Sequence, residues 1–152
     1  MENSTGDAWC LPVLLIAAVF MYIFVLSMIS KISGWSDLAK KYATDKSPDD
    51  SWWTVERLVL NNMESKRIVK IAYDDDGIFL DAFFLFKLAH PRLFIPRSEI
   101  KFNRTYKPIL GREYHEFSFP ACPTIPTITM ALRTDEGEYL KNYLARSPKG
   151  AK

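Results

Sequence analysis

Residues 69–88 read VKIAYDDDGIFLDAFFLFKL. Val69, Ile71 and Tyr73 alternate with Lys70 and Ala72, the period of two at which successive strand side chains leave on opposite faces. The Asp74–Gly77 stretch interrupts the pattern, and 78–88 resumes as a strongly apolar run. Asp76-Gly77 between two such runs signals a hairpin. Three consecutive aspartates also raise the question of calcium. If Gly77 took the sixth place of an EF-hand loop, however, the first ligand position would fall on Ala72, so the turn reading stands.

Toward the carboxy terminus the same period recurs, broken by turn residues about every ten positions, as in an antiparallel sheet. His90-Pro91 closes the apolar run. Residues 93–102, LFIPRSEIKF, start a strand with Ile100 and Phe102 on one face and Arg97, Glu99 and Lys101 on the other, so one face is buried and one charged. Residues 116–120 and 124–133 are two further strands, separated by the Pro-rich PACPTIP that suits an edge or bulge. Residues 134–147 then place Tyr139, Leu140, Tyr143 and Leu144 on one side of a helix, with Asp135 and Glu138 in capping-box relation.

Toward the amino terminus, Trp35, Leu38, Ala39 and Tyr42 fall at i, i+3, i+4 and i+7, a short amphipathic helix for which Ser33 is available as a cap. Its stripe can pack on the domain or lie in a headgroup layer beside Lys40 and Lys41. Residues 43–51, ATDKSPDDS, form a loop. Ahead of all this stands 9–29, WCLPVLLIAAVFMYIFVLSMI, without a charge. As a helix it matches a hydrocarbon core of about 30 Å. Twelve of its residues are Leu, Ile, Val or Phe, so about 5 kcal/mol favours insertion at roughly 0.3–0.6 kcal/mol each.

No Lys or Arg precedes Lys31, whereas Lys31, Lys40 and Lys41 follow closely. The positive-inside bias therefore predicts an external amino terminus and a cytoplasmic remainder. The start MENSTGDAW lacks the basic region of a signal peptide, which predicts an uncleaved anchor. Cys10 and Cys122 lie at opposite ends of this layout, so neither a disulfide nor a CxxC metal or redox site is expected. The organisation expected is a tail at 1–8, a transmembrane helix at 9–29, a juxtamembrane helix and linker at 30–51, a sheet domain with its helix at 52–146, and a tail at 147–152. The fold class is α+β.

Antiparallel strands followed by one carboxy-terminal helix resemble a pleckstrin-homology-like domain, a bent sheet plugged by that helix. The stretch Asp76-Gly-Ile-Phe-Leu followed by His90-Pro-Arg-Leu-Phe-Ile-Pro-Arg-Ser-Glu-Ile is also similar to an element of small bacterial single-span membrane proteins, which often carry the Trp-x-x-Leu-Ala-x-x-Tyr helix found here at 35–42. The likeness covers about two thirds of the chain. It implies a membrane-anchored module and brings no catalytic residues, and Arg97 stands where those relatives often have Trp.

Between 92 and 112 the chain carries Arg92, Arg97, Lys101, Arg104, Lys107 and Arg112 against Glu99 alone. Residues 31–152 contain all 20 basic residues and 16 of the 18 acidic ones, so this segment accounts for the excess. Beside a membrane each such cation is worth about 1 kcal/mol against anionic headgroups. These six are the candidate contacts to lipid or an acidic partner; the modest net charge and absence of a recognition motif argue against nucleic acid. Adjacent aromatics cannot both enter a one-sided sheet. Trp52, Trp53, Phe83 and Phe84, with Trp35, are therefore the candidate surface for a membrane-protein partner or a second copy. Two histidines, His90 and His115, and no G-x-S-x-G, HExxH or glycine-rich phosphate loop argue against an enzyme, a cofactor or a metal. The expected function is a non-enzymatic membrane-anchored binding module, or alternatively a small accessory subunit of a larger membrane complex.

Overall fold

The computed structural model describes residues 10–108, 111–120 and 127–146. The tails at 1–8 and 147–152, Trp9, Cys122 and most of PACPTIP lie outside the described residues. One apolar helix, α1 (Cys10–Ile32), has the length and composition of a membrane span or a signal sequence. Nearly all of it is exposed; only Leu26 and Ser30 are buried. The chain turns at Gly34, whose φ of 76° is left-handed and favours glycine, and enters α2 (Trp35–Tyr42). Ser33 precedes the N-cap position, and its Oγ accepts the Trp35 amide at 3.4 Å. The stripe of α2 packs on the domain: Trp35, Leu38 and Tyr42 are buried in the core.

Nine antiparallel strands follow among the described residues: β1 (Trp53–Thr54), β2 (Arg57–Leu60), β3 (Met63–Lys66), β4 (Val69–Tyr73), β5 (Gly77–Ala82), β6 (Leu93–Pro96), β7 (Lys101–Tyr106), β8 (Tyr114–Phe119) and β9 (Ile128–Arg133). They form two sheets of order β1-β4-β5-β6 and β3-β2-β9-β8-β7. Backbone bonds run through the bend between them: Val55 N donates to Val69 O at 3.0 Å and Arg67 N to Glu56 O at 3.3 Å. Residues 53–60 and 63–73 are thus the two arms of one bent hairpin. Its turn, Asn61-Asn62, has φ of 47° and 66° and joins the pair Leu60↔Met63, the two-residue geometry that twisted strands favour and asparagine tolerates. The other edge of the first arm pairs with the last strand, Leu58↔Leu132.

The Asp74–Gly77 turn forms between the paired Tyr73 and Ile78, with Asp74 N donating to Gly77 O at 2.9 Å. A Cβ on Gly77 would lie 2.4 Å from Ile95 O, so β6 approaches closely only because glycine is there. Two expected strands differ from the structure. The apolar run 78–88 is strand only to Ala82, after which Phe84–Phe86 makes a 3-10 turn; at 83–88 no alternation separates strand from loop. Residues 93–102 divide at Pro96, and a 3-10 turn at Arg97–Glu99 carries the chain from one sheet to the other. Ile100 is buried, but Phe102 is partly exposed and packs edge-on against Phe117.

Helix α3 (Thr134–Ala145) closes the domain without the expected capping box. Its N-cap is Arg133, two residues before Asp135, and Thr134 Oγ1 donates to Glu113 O at 2.9 Å. Leu140 is fully buried, and Gly137 lets the helix approach β8, since a Cβ there would lie 2.6 Å from His115 Cβ. Leu58, Ile78, Leu80, Leu93, Ile95, Phe117, Phe119, Met130 and Leu132 fill the core between the sheets. The free edge of β6 is partly covered where Ala43 bridges Leu93 and Thr44 N donates to Arg92 O at 3.0 Å.

Candidate functional site

The last three turns of α1 do not stand clear of the domain. Tyr22, Leu26 and Ser30 share one helix face at i, i+4 and i+8, and that face meets the connection between β5 and β6. Ser30 Oγ donates to Ala89 O at 2.7 Å and the Tyr22 hydroxyl to Leu85 O at 2.5 Å. Asn61 Nδ2 donates to Ile32 O at 3.2 Å, and Trp35 Nε1 to Pro91 O at 2.9 Å. His90 packs edge-on against Trp35, its Nδ1 3.1 Å from Phe86 O. Burial lowers the pKa of this imidazole from its ordinary 6.5.

Beside this contact the connection thrusts out Phe83, Phe84, Leu85 and Leu88, which are 42, 67, 50 and 76 % exposed. At its base lies a polar cavity of about 400 Å³ lined by Ala43, Thr44, Asp45, Asp81, Lys87, Pro91 and Arg92. Lys87 and Arg92 each approach Asp81 Oδ2 at 3.2 Å. Arg92 also donates to Lys46 O and Ser47 Oγ and lies over the Trp52 ring. Arg92 Nε and Asp81 Oδ1 are buried without a partner. The arrangement offers two cations around one shared carboxylate, with the half-exposed Lys87 free to turn toward an anion.

The six cations read as one stripe are dispersed. Arg92 is in this cavity. Arg97 donates through Nη2 to Tyr143 O at 2.6 Å and Leu144 O at 3.1 Å, closing the carboxy end of α3, and sits over the Tyr143 ring. Burial pushes the Tyr143 hydroxyl up to about 12. Arg104 pairs with Glu116 at 3.3 Å. Lys101, Lys107 and Arg112 are exposed, but Lys101 opens β7 and Lys107 follows its end, about 20 Å apart at the rise of a strand. The break at Pro96 is the reason: it sends Arg92 and Arg97 to different neighbours and leaves the rest on another sheet.

Of the aromatics, Trp35 is 2 % exposed and offers no surface to a partner, because α2 packs inward. Trp52 is half-buried edge-on against Phe79. Trp53 is exposed beside a second cavity of about 250 Å³ that it shares with Tyr73, Tyr139 and Glu136. Phe83 and Phe84 are both exposed, since they lie in a turn and not a strand. His115 is remote from His90, facing Thr105 and Phe102 under α3. Asp81, Lys87, Leu85 and Leu88 went unnoticed in the sequence. Tyr22 and Ser30, two of the three hydroxyls in Cys10–Ile32 and eight residues apart, were the available signal.

No protein-family model, curated protein or solved structure matches this chain.

Proposed function

We propose that this chain is a single-span inner-membrane protein, amino terminus outside, whose cytoplasmic pleckstrin-homology-like domain is a non-enzymatic module that binds anionic lipid headgroups at the Lys87–Arg92 cavity. The observation that carries the proposal is the docking of α1 onto the 83–92 connection. A span that ends at Lys31 sets the headgroup layer beside Ser30, and Ser30 is bonded to Ala89, between Lys87 and Arg92. Lys31, next to Ser30 in the chain and exposed, supplies further positive charge there.

One point supports a retained anchor over a cleaved signal sequence: Leu26 and Ser30 are buried against the domain, so cleavage would uncover its apolar end. The pleckstrin-homology-like reading draws on strand order. With the bent arms counted as single strands, the order is β6, β5, β3–β4, β1–β2, β9, β8, β7, followed by one helix. That is a four-strand meander and a three-strand meander joined through the first and last strands. The resemblance to small bacterial single-span proteins agrees with this architecture and with the Trp35–Tyr42 helix.

Native mass spectrometry of the intact chain released from detergent micelles doped with phosphatidylglycerol or phosphatidylcholine tests the proposal. Preferential retention of phosphatidylglycerol, reduced several-fold by Lys87→Ala, is the expected result. Lys87 is half exposed, so the fold survives its loss. Equal retention of both lipids, or retention indifferent to Lys87, overturns the proposal.

A further inference from the structure

The Phe83–Leu88 turn lies too far along α1 to stay outside a membrane that α1 crosses. Its deepest fixed point is Leu85, whose carbonyl accepts the Tyr22 hydroxyl. Only Cys10–Met21 of the described helix precedes Tyr22, about 18 Å at 1.5 Å per residue. A hydrocarbon core is about 30 Å thick. If the bilayer began at the level of Leu85, α1 could not span it. From Tyr22 to Lys31 the helix advances a further ~13 Å, close to the thickness of one leaflet's hydrocarbon.

We infer that the 83–88 turn is embedded in the acyl chains of the cytoplasmic leaflet as a wedge against the span. This rests on the reading of α1 as a transmembrane helix. The chemistry of the turn fits that solvent. Phe84, Leu85 and Leu88 are half or more exposed, and their continuity with the apolar surface of α1 makes lipid their occupant.

The backbone of an irregular segment is tolerated in hydrocarbon only where its polar groups find partners. Four successive carbonyls do. Phe83 O accepts Phe86 N at 2.8 Å, Phe84 O accepts Lys87 N at 3.3 Å, Leu85 O accepts Tyr22, and Phe86 O accepts Ala89 N and His90 N, each at 3.1 Å. Lys87, the single charge in the turn, reaches back to Asp81 at 3.2 Å, as long cationic side chains do near an interface.

Site-directed spin labelling of the full chain in phosphatidylcholine–phosphatidylglycerol proteoliposomes tests the inference. On a Cys10→Ser, Cys122→Ser background, single labels are placed at Phe84→Cys, Leu88→Cys, Val19→Cys and Asp50→Cys, all at exposed side chains. Labels at 84, 88 and 19 are expected to collide with oxygen and to be shielded from a water-soluble nickel chelate, with 50 the reverse. If 19 lies in hydrocarbon while 84 and 88 meet the chelate, the wedge is overturned and the span stands. If 19 also meets the chelate, the span fails and takes the wedge with it. Labels at 84 and 88 shielded from both reagents overturn it in favour of a protein contact, a second copy in this preparation.

Discussion

A methyl group at position 137 would lie 2.6 Å from His115 Cβ and 2.8 Å from its ring. Alanine is the better helix former by about 1 kcal/mol, yet neither the backbone-attached Cβ nor a ring pinned by Thr105 can withdraw. Overpacking of this kind costs about 1–3 kcal/mol, so Gly137→Ala is expected to lower the midpoint of thermal unfolding, as circular dichroism in detergent would register. A second residue sets a response to acid. Glu99 accepts hydrogen bonds from Lys41 and from the Tyr42 hydroxyl, which hold its carboxyl below the ordinary 4.5. The stability it contributes is therefore full above that ordinary value and fades as pH falls through the lower folded one. Melting between about pH 5 and about pH 3 should decline more steeply in the wild type than in Glu99→Gln; identical slopes would remove Glu99 from the account.

At the scale of elements, Arg97 shows how far a side chain can act from its own strand. Its guanidinium takes the carbonyls of Tyr143 and Leu144, groups that the end of a helix leaves unpaired. Charge-assisted bonds of this type contribute about 1.5–3 kcal/mol, and a lysine lacks the planar guanidinium that lies over the Tyr143 ring. Arg97→Ala and Arg97→Lys should both speed amide exchange in the last turn of α3 while leaving β8 and β9 protected. The same residue marks the limit of what could be read beforehand. Alternation located β4, β8 and β9, the apolar run after the Asp76-Gly77 turn located β5, and the i, i+3, i+4 spacing located α2 and α3, because local pattern is a property of the sequence itself. Arg97 read as one of six cations on a stripe because its partners lie 46 and 47 residues away. Phe83 and Phe84 read as strand because an unbroken apolar run carries no period. Asn61-Asn62, between LVL and MES, was a legible turn that went unused.

Across the whole molecule, closure depends on pairing the first arm with the last strand, Leu58↔Leu132 and Leu60↔Met130. Contacts of such separation form late and slowly. A chain ending after Phe119 would lack β9 and α3 and leave Leu58, Phe117 and Tyr73 uncovered, so it should be degraded by trypsin under conditions in which the intact chain resists; survival would mean that the 53–119 strands fold without closure. The docking of Tyr22 on Leu85 carries a consequence for how the molecule is made. Sixty-three residues separate the two, about 3–13 s of synthesis at roughly 5–20 residues per second. The helix is thus in place before its turn exists, and β4 and β5 deliver that turn before β6–β9 have been translated. With α1 as the proposed span, the bilayer would act as a template on the ribosome's timetable, holding one end of the sheet still while the remaining strands arrive to close it.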